Sequence, residues 1–204
     1  MELQAEMPEL VLASGSRVRA EMLRAAGLHL TVLPVEVDEA ALKREARVAG
    51  CDGAAAALAL ASAKAAAASA LQPEALVIGA DQMLACEGAW FDKPGDTVGA
   101  AEQLRRLRGK SHDLFSAASC WQAGRPRWSG VERARLHMRR FSEAFLRDYL
   151  AREGPAVSGS VGAYHIEGPG VLLFSSVRGE SSVIRGLPLL PLLGFLRRAG
   201  VLRT

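Results

Sequence analysis

The chain has 204 residues, 50% hydrophobic and 23% charged, which is too apolar for a disordered polypeptide and long enough to bury a full core without disulfides or a structural metal. Its 25 basic and 22 acidic residues give a formal charge of +3, too mild to mark a nucleic-acid binder but compatible with a local basic pocket for a small anion. Three cysteines far apart, Cys51, Cys86 and Cys120, form no CxxC; they argue against a disulfide framework or a zinc site and fit a reducing cytoplasm.

In chain order, residues 10–13 (LVLA) read as a buried strand. A small-residue loop, Ser14-Gly15-Ser16, leads into a helix over 17–26 that Gly27 ends. Residues 30–37 alternate and predict a second strand ending at Asp38-Glu39. The alanine-rich run 54–71 predicts a long helix, since alanine has the highest helix propensity. Residues 75–80 (ALVIGA) predict a buried strand ending at Asp81, with 83–86 as an extension before a turn at Glu87-Gly88. A loop, Lys93-Pro94-Gly95-Asp96, precedes a helix over 98–107 with Asp96 or Thr97 as its cap. A strand over 112–122, a hairpin turn over 122–127 and a return strand over 128–141 come next. Ser142 caps a helix to residue 152, with Phe145 and Tyr149 on one face. The segment 154–170 is rich in glycine and serine; 171–177 predicts a strand, 179–186 a turn region, and 187–199 a closing helix with Pro188 near its start.

No segment has the form of a signal peptide or a membrane span. The N-terminus is acidic, residues 187–196 are broken by Pro188, Pro191 and Gly194, and Lys64 interrupts the alanine run. Alternating strands and helices followed by a hairpin predict an α/β fold with a mixed central sheet flanked by helices, in one domain over residues 1–204.

Ligands of such sheets bind beyond strand ends, and anions sit at helix N-termini. Ser14-Gly15-Ser16 with Arg17 and Arg19 therefore suits a phosphate cradle; the same residues also fit a plain serine N-cap with solvated arginines. Asp81 suits a Mg²⁺ ligand or a proton acceptor for water, or equally the cap of the next turn. Glu39 supplies a second acid, and Lys64, Lys93 and Arg19 supply cations. Phosphoryl chemistry needs that mixture, because acids hold a metal and orient water while cations hold phosphate oxygens. His112-Asp113 has no partner histidine for a metal site, and His29, His137 and His165 read as surface or core residues. The basic run Arg105, Arg106, Arg108 and Lys110 lies at a helix end, where cations favour the helix dipole more simply than they signal nucleic acid.

Eight segments in order resemble the Maf family of nucleoside triphosphate pyrophosphatases: LASGSRVRAEML, VDE at 37–39, ASAKA around Lys64, VIGADQ, DKPGD, LRGKSHDLFSA, VGAYHIEGPG and GLPLLPLLGFL. The resemblance spans residues 10–196. It implies an elongated, two-lobed α/β structure with a cleft, and hydrolysis of a nucleoside triphosphate to monophosphate and pyrophosphate with a divalent cation, Mg or Mn. By the same resemblance Asp81 is the catalytic proton acceptor, Asp81 and Glu39 together are the catalytic acids that bind the metal or activate the water, Ser14, Ser16 and Arg19 are the phosphate-binding motif, and Lys64 and Lys93 are further charged residues of the cleft. The expected role is cytoplasmic removal of modified nucleotides before a polymerase uses them, without a membrane or nucleic-acid partner; a homodimer is left open. The family often reads S-x-S-P-R-R, but Arg17 stands for the proline and Val18 for the first arginine. At the family's base-specificity positions the chain has Val18, Gln82 and Glu167. The last two resemble the branch acting on 7-methyl-GTP and cytidine nucleotides rather than the dTTP/UTP branch, although the former carries a bulky aromatic where Val18 stands. A permanently accepting glutamate suits a base edge with N–H donors. The alternatives are an inosine/xanthosine triphosphate pyrophosphatase of similar architecture and a non-catalytic, nucleotide- or nucleic-acid-binding regulator of cell division.

Overall fold

A short apolar strand satisfies its backbone through neighbours on both sides. Strand β1 (Leu10–Ala13), buried throughout, lies parallel to β2 (Thr31–Val32) and to β3 (Leu76–Cys86). Parallel neighbours require crossovers. Helix α1 (Arg17–Ala25) connects β1 to β2, and α2 (Glu39–Val48) with α3 (Gly53–Leu71) connects β2 to β3. After β3, Glu87 and Gly88 at φ 50° and 79° close a hairpin onto β4 (Ala89–Phe91). Helix α4 (Thr97–Leu107) begins on Asp96, whose carboxylate accepts from Gly99 N. Strands β5 (Ser111–Gln122) and β6 (Arg125–Met138) are joined at Ala123-Gly124, φ 52° and 68°. Helix α5 (Glu143–Glu153), two 3₁₀ segments (Gly154–Gly159 and Pro169–Leu173), β7 (Phe174–Arg178), α6 (Ser181–Ile184) and α7 (Leu189–Arg198) complete the chain. The seven-stranded mixed sheet has the order β2-β1-β3-β5-β6-β7, with β4 paired to β3 alone.

This computed structural model describes residues 3–203, which fall into two units. The first comprises the chain to Gln82, residues 115–132 and the chain from Ser181; the second comprises residues 83–114 and 133–180. In the first unit the period-2 alternation of strands separates two cores. Leu10, Leu12, Leu76 and Ile78 pack with Leu23 of α1 and Leu192 and Leu196 of α7, while Val11, Ala13 and Val77 pack with Ala65 and Ala68 of α3. In the second unit Leu104 and Leu107 of α4 and Leu146 and Tyr149 of α5 are buried, and the Tyr149 hydroxyl donates to Ala163 O.

The alanine content of α3 has a geometric consequence. Its backbone lies directly on β3 at Gly79, where a Cβ would overlap Ala61 O and Ala65 N. Small residues on both sides permit that approach. It carries Lys64, three residues on from Ala61, toward Asp81, two residues on from Gly79 on the same strand face. By length and composition α3 is also apolar enough to cross a bilayer, which corrects the expectation that no segment qualifies. Here Ala56, Ala57, Leu60, Ala61, Ala65 and Ala68 are all buried in the protein.

Several boundaries differ from the sequence expectation. The strand over 30–37 shrinks to Thr31–Val32, because Pro34 has no N–H to donate. Asp38-Glu39 is a helix start rather than a strand end: Asp38 caps α2 by accepting from Ala41 N. β3 continues through Asp81 to Cys86, so Asp81 lies within the strand and not after it. The return strand begins at Arg125 and stops at Met138, and β7 starts at Phe174 after a 3₁₀ turn. The turn region 179–186 contains α6.

Candidate active site

Four elements of the first unit bring the charged residues together. Lys64 Nζ lies 2.6 Å from Asp81 Oδ1 and 2.7 Å from Glu39 Oε1, so one ammonium from α3 bridges carboxylates from β3 and α2. The Lys64 and Asp81 side chains are 12% and 11% exposed and that of Glu39 is 44%, so the pair is sheltered while one side of the cluster faces water. Lys43, one turn along α2, stands 3.9 Å from Glu39 Oε2.

Arg19 is built in from α1. Ser16 caps that helix, its Oγ accepting from Arg19 N, and the N–H groups of Arg17 and Val18 at the helix start have no intrahelical acceptor. The guanidinium donates from Nε to Gly186 O (2.8 Å) and from Nη1 to both Ser14 Oγ (3.0 Å) and Ala80 O (2.9 Å). Of the five N–H donors of an arginine, those on Nη2 make no hydrogen bond among the described residues. Burial lowers the Arg19 pKa from its ordinary value, opposed by the charges of Asp81 and Glu39; an arginine stays protonated under such a shift. Gly186, at φ 101°, accommodates this contact, and a Cβ there would stand 3.3 Å from Arg19 Nε.

Asp81, Glu39, Lys64, Arg19, Ser14 and Ser16 all lie in the first unit, and both serines also hydrogen-bond within their own loop and helix start. Ser14 is buried, and its Oγ accepts from Arg19 Nη1 and Ser16 N. Both hydroxyls shape the loop and aim the arginine. Val18 is half-buried against the α1/α7 core. Gln82 follows Asp81 on a strand and so faces the opposite side. Its Nε2 donates toward Ser116 Oγ, Val183 O and Ile184 O, each at 3.0 Å. Sequence reasoning missed Ser116, although it lies within the LRGKSHDLFSA segment. Lys93, exposed in the loop before α4, and Glu167, exposed in the loop after the first 3₁₀ segment, belong to the second unit. A cavity of about 450 Å³ lined in part by Gln4, Glu9, His29 and Thr31 contains none of these residues.

Among the described residues no group of three or more His, Cys, Asp and Glu side chains is placed to hold a metal. Mg²⁺ needs less from a protein: one or two carboxylates, with waters and substrate phosphates completing the octahedron. Asp81 and Glu39, already sharing one cation in Lys64, fit that minimal donor set.

One carboxylate from the sheet and one from α2 share the Lys64 ammonium, the mixture of acids and cations that phosphoryl chemistry requires. Residues 9–199 match the family of Maf-like proteins. The chain is 48% identical over 190 residues to a nucleoside triphosphate pyrophosphatase of Granulibacter bethesdensis (93% of this chain, 96% of the relative). It is 51% identical over 192 residues to one of Paramagnetospirillum magneticum (94% and 99%). It is also 43% identical over 195 residues to a 7-methyl-GTP pyrophosphatase of Rhizobium etli (96% and 98%). The chain belongs to the Maf family.

Proposed function

We propose that this chain is a nucleoside triphosphate pyrophosphatase, a hydrolase of acid anhydrides that converts a nucleoside triphosphate to its monophosphate and pyrophosphate. The observation that carries the reading is the Lys64 bridge between Asp81 and Glu39, with the open Nη2 edge of Arg19 held in the same unit. The names of the relatives support it.

In this mechanism Arg19 Nη2 and the N–H groups at the start of α1 bind phosphate oxygens. Lys64 fixes the Asp81 carboxylate through Oδ1. Asp81 takes a proton from a water whose oxygen bonds to the α-phosphorus, while the bond from that phosphorus to the bridging oxygen breaks and pyrophosphate leaves with the electron pair. Asp81 and Glu39 would hold a divalent cation, Mg or Mn, which when bound neutralises charge on the phosphate oxygens. The chain works as one Maf-like domain, in the cytoplasm.

Base selection is assigned to Glu167. A carboxylate accepts hydrogen bonds only and favours bases with N–H donors, and the 7-methyl-GTP pyrophosphatase among the relatives agrees with that choice. Glu167 is exposed in the free chain; a base that covers it without offering an N–H donor would leave it mispaired, at a cost of ~1–3 kcal/mol, or roughly tenfold to a hundredfold in rate. So 7-methyl-GTP, GTP or CTP should outrun dTTP, and Glu167→Gln should narrow the gap. The test is a nucleoside triphosphate panel with pyrophosphate detection, with Mg²⁺, with Mn²⁺ and with chelator. Pyrophosphate release in the presence of metal is expected, and no release from any nucleotide under any condition would overturn the assignment. A preference for dTTP over every guanine and cytosine nucleotide would overturn the base reading alone.

A further inference from the structure

The segment from α6 to Gly186 is a strap held on the sheet by side chains remote from it in sequence. Ser116 Oγ, fully buried on β5, donates to Val183 O at 2.7 Å and accepts from Gln82 Nε2 at 3.0 Å. Gln82 Nε2 also faces Val183 O and Ile184 O at 3.0 Å, so two amide hydrogens serve three acceptors. Three residues along, Gly186 O receives the Nε of Arg19. Val183 and Ile184 are themselves buried, so the strap's apolar side chains and carbonyls are fixed together.

We propose that Gln82 and Ser116 are positioning residues: they lock residues 183–186 so that Gly186 O holds Arg19 Nε and directs Nη2 to the phosphates. The inference rests on the pyrophosphatase reading above and departs from the view of Gln82 as a direct reader of the base. Three observations carry it. The amide donors of Gln82 are engaged with Ser116 and the strap, Gln82 faces away from Asp81, and the strap ends on the one carbonyl that fixes Nε. Because Arg19 holds phosphates common to every nucleotide, loss of the lock acts equally on all bases.

The test compares Ser116→Ala, Gln82→Ala and the double variant with the wild type, using GTP and dTTP, and follows amide hydrogen exchange of residues 181–187. Each single variant is expected to raise KM by roughly three- to tenfold, the size of one net hydrogen bond. The factor should be the same for both nucleotides, kcat should change less, and the double variant should be little worse than either single one, as within a coupled unit. Exchange over 181–187 should accelerate in all three. Ser116→Thr, which keeps the hydroxyl, should restore KM and exchange protection. A Gln82→Ala variant that reverses the order of GTP and dTTP while Ser116→Ala leaves KM unchanged would overturn the inference, as would unchanged exchange in both. Absence of pyrophosphate release from the wild type would instead defeat the underlying assignment, and the exchange measurement would still report whether the lock exists.

Discussion

Each unit contains a sheltered polar cluster, and the two differ in kind. In the first, Lys64, Asp81 and Glu39 are charged, partly open to water, and accompanied by an arginine edge without a protein partner. In the second, His112 is 1% exposed, hydrogen-bonds the Tyr164 hydroxyl through Nε2 at 2.8 Å, and packs with the rings of Tyr164 and Phe174. Burial, and secondarily the charge of His137, lowers the His112 pKa from 6.5 to about 4, while burial raises that of Tyr164. Both rings are therefore neutral at physiological pH. A charged cluster that water can reach meets the needs of acid–base chemistry on a phosphate. A neutral, ring-packed one without access fixes a loop. Burial of a polar group alone does not mark a reactive site; charge, access and unfilled hydrogen-bonding capacity together do.

The largest effect is expected where that contrast is sharpest. Asp81→Asn keeps the side-chain shape and removes the basic carboxylate, and general-base assistance is worth ~10²–10⁴-fold. Steady-state turnover should fall by at least that order while the thermal midpoint stays close to wild type. Near-normal turnover would remove Asp81 from the chemistry and erase the difference between the clusters.

Gly79→Ala probes how the first cluster is assembled without touching a charged residue. The added methyl overlaps the α3 backbone at Ala61 and Ala65, and overpacking of this kind costs roughly 1–3 kcal/mol. Denaturant unfolding should show that loss. Turnover should fall as well, because α3 carries Lys64 away from Asp81. Full activity with full stability would mean that the close approach is not what joins the pair.

The second cluster should respond to pH through stability. The unfolded chain protonates this histidine near 6.5 and the folded chain only near 4, so below 6.5 the unfolded state binds more protons and stability falls as pH drops through that window. The gap corresponds to roughly 3 kcal/mol, lost between those limits and fully retained above 6.5. His112→Gln should flatten this part of the midpoint-against-pH curve and leave turnover at neutral pH within a few fold. A large loss of turnover at neutral pH would give the second cluster a catalytic part.

Much of the first cluster was legible in the sequence. A single lysine in an alanine helix and an aspartate after a buried apolar run are both local anomalies, and the structure joins them at 2.6 Å. The caps at Asp96 and Ser142 were equally readable, because a side chain three residues from its acceptor carries its own signal. The alternation of residues 30–37 masks the helix after Asp38, because Pro34 stops the strand early and Asp38 caps α2. Gln82 was the harder case. Its contacts lie 34, 101 and 102 residues away, and no local pattern encodes them. Its neighbour Asp81 suggested a shared role, and strand alternation turns the two side chains apart.

In the proposed reaction the Lys64–Asp81–Glu39 cluster directs water to the α-phosphorus of a nucleoside triphosphate. Turnover of GTP in ¹⁸O-labelled water, with mass analysis of both products, tests it most directly. Label in the monophosphate and none in pyrophosphate is the expected result. Label in the pyrophosphate would place the attack on the β-phosphorus and contradict the account.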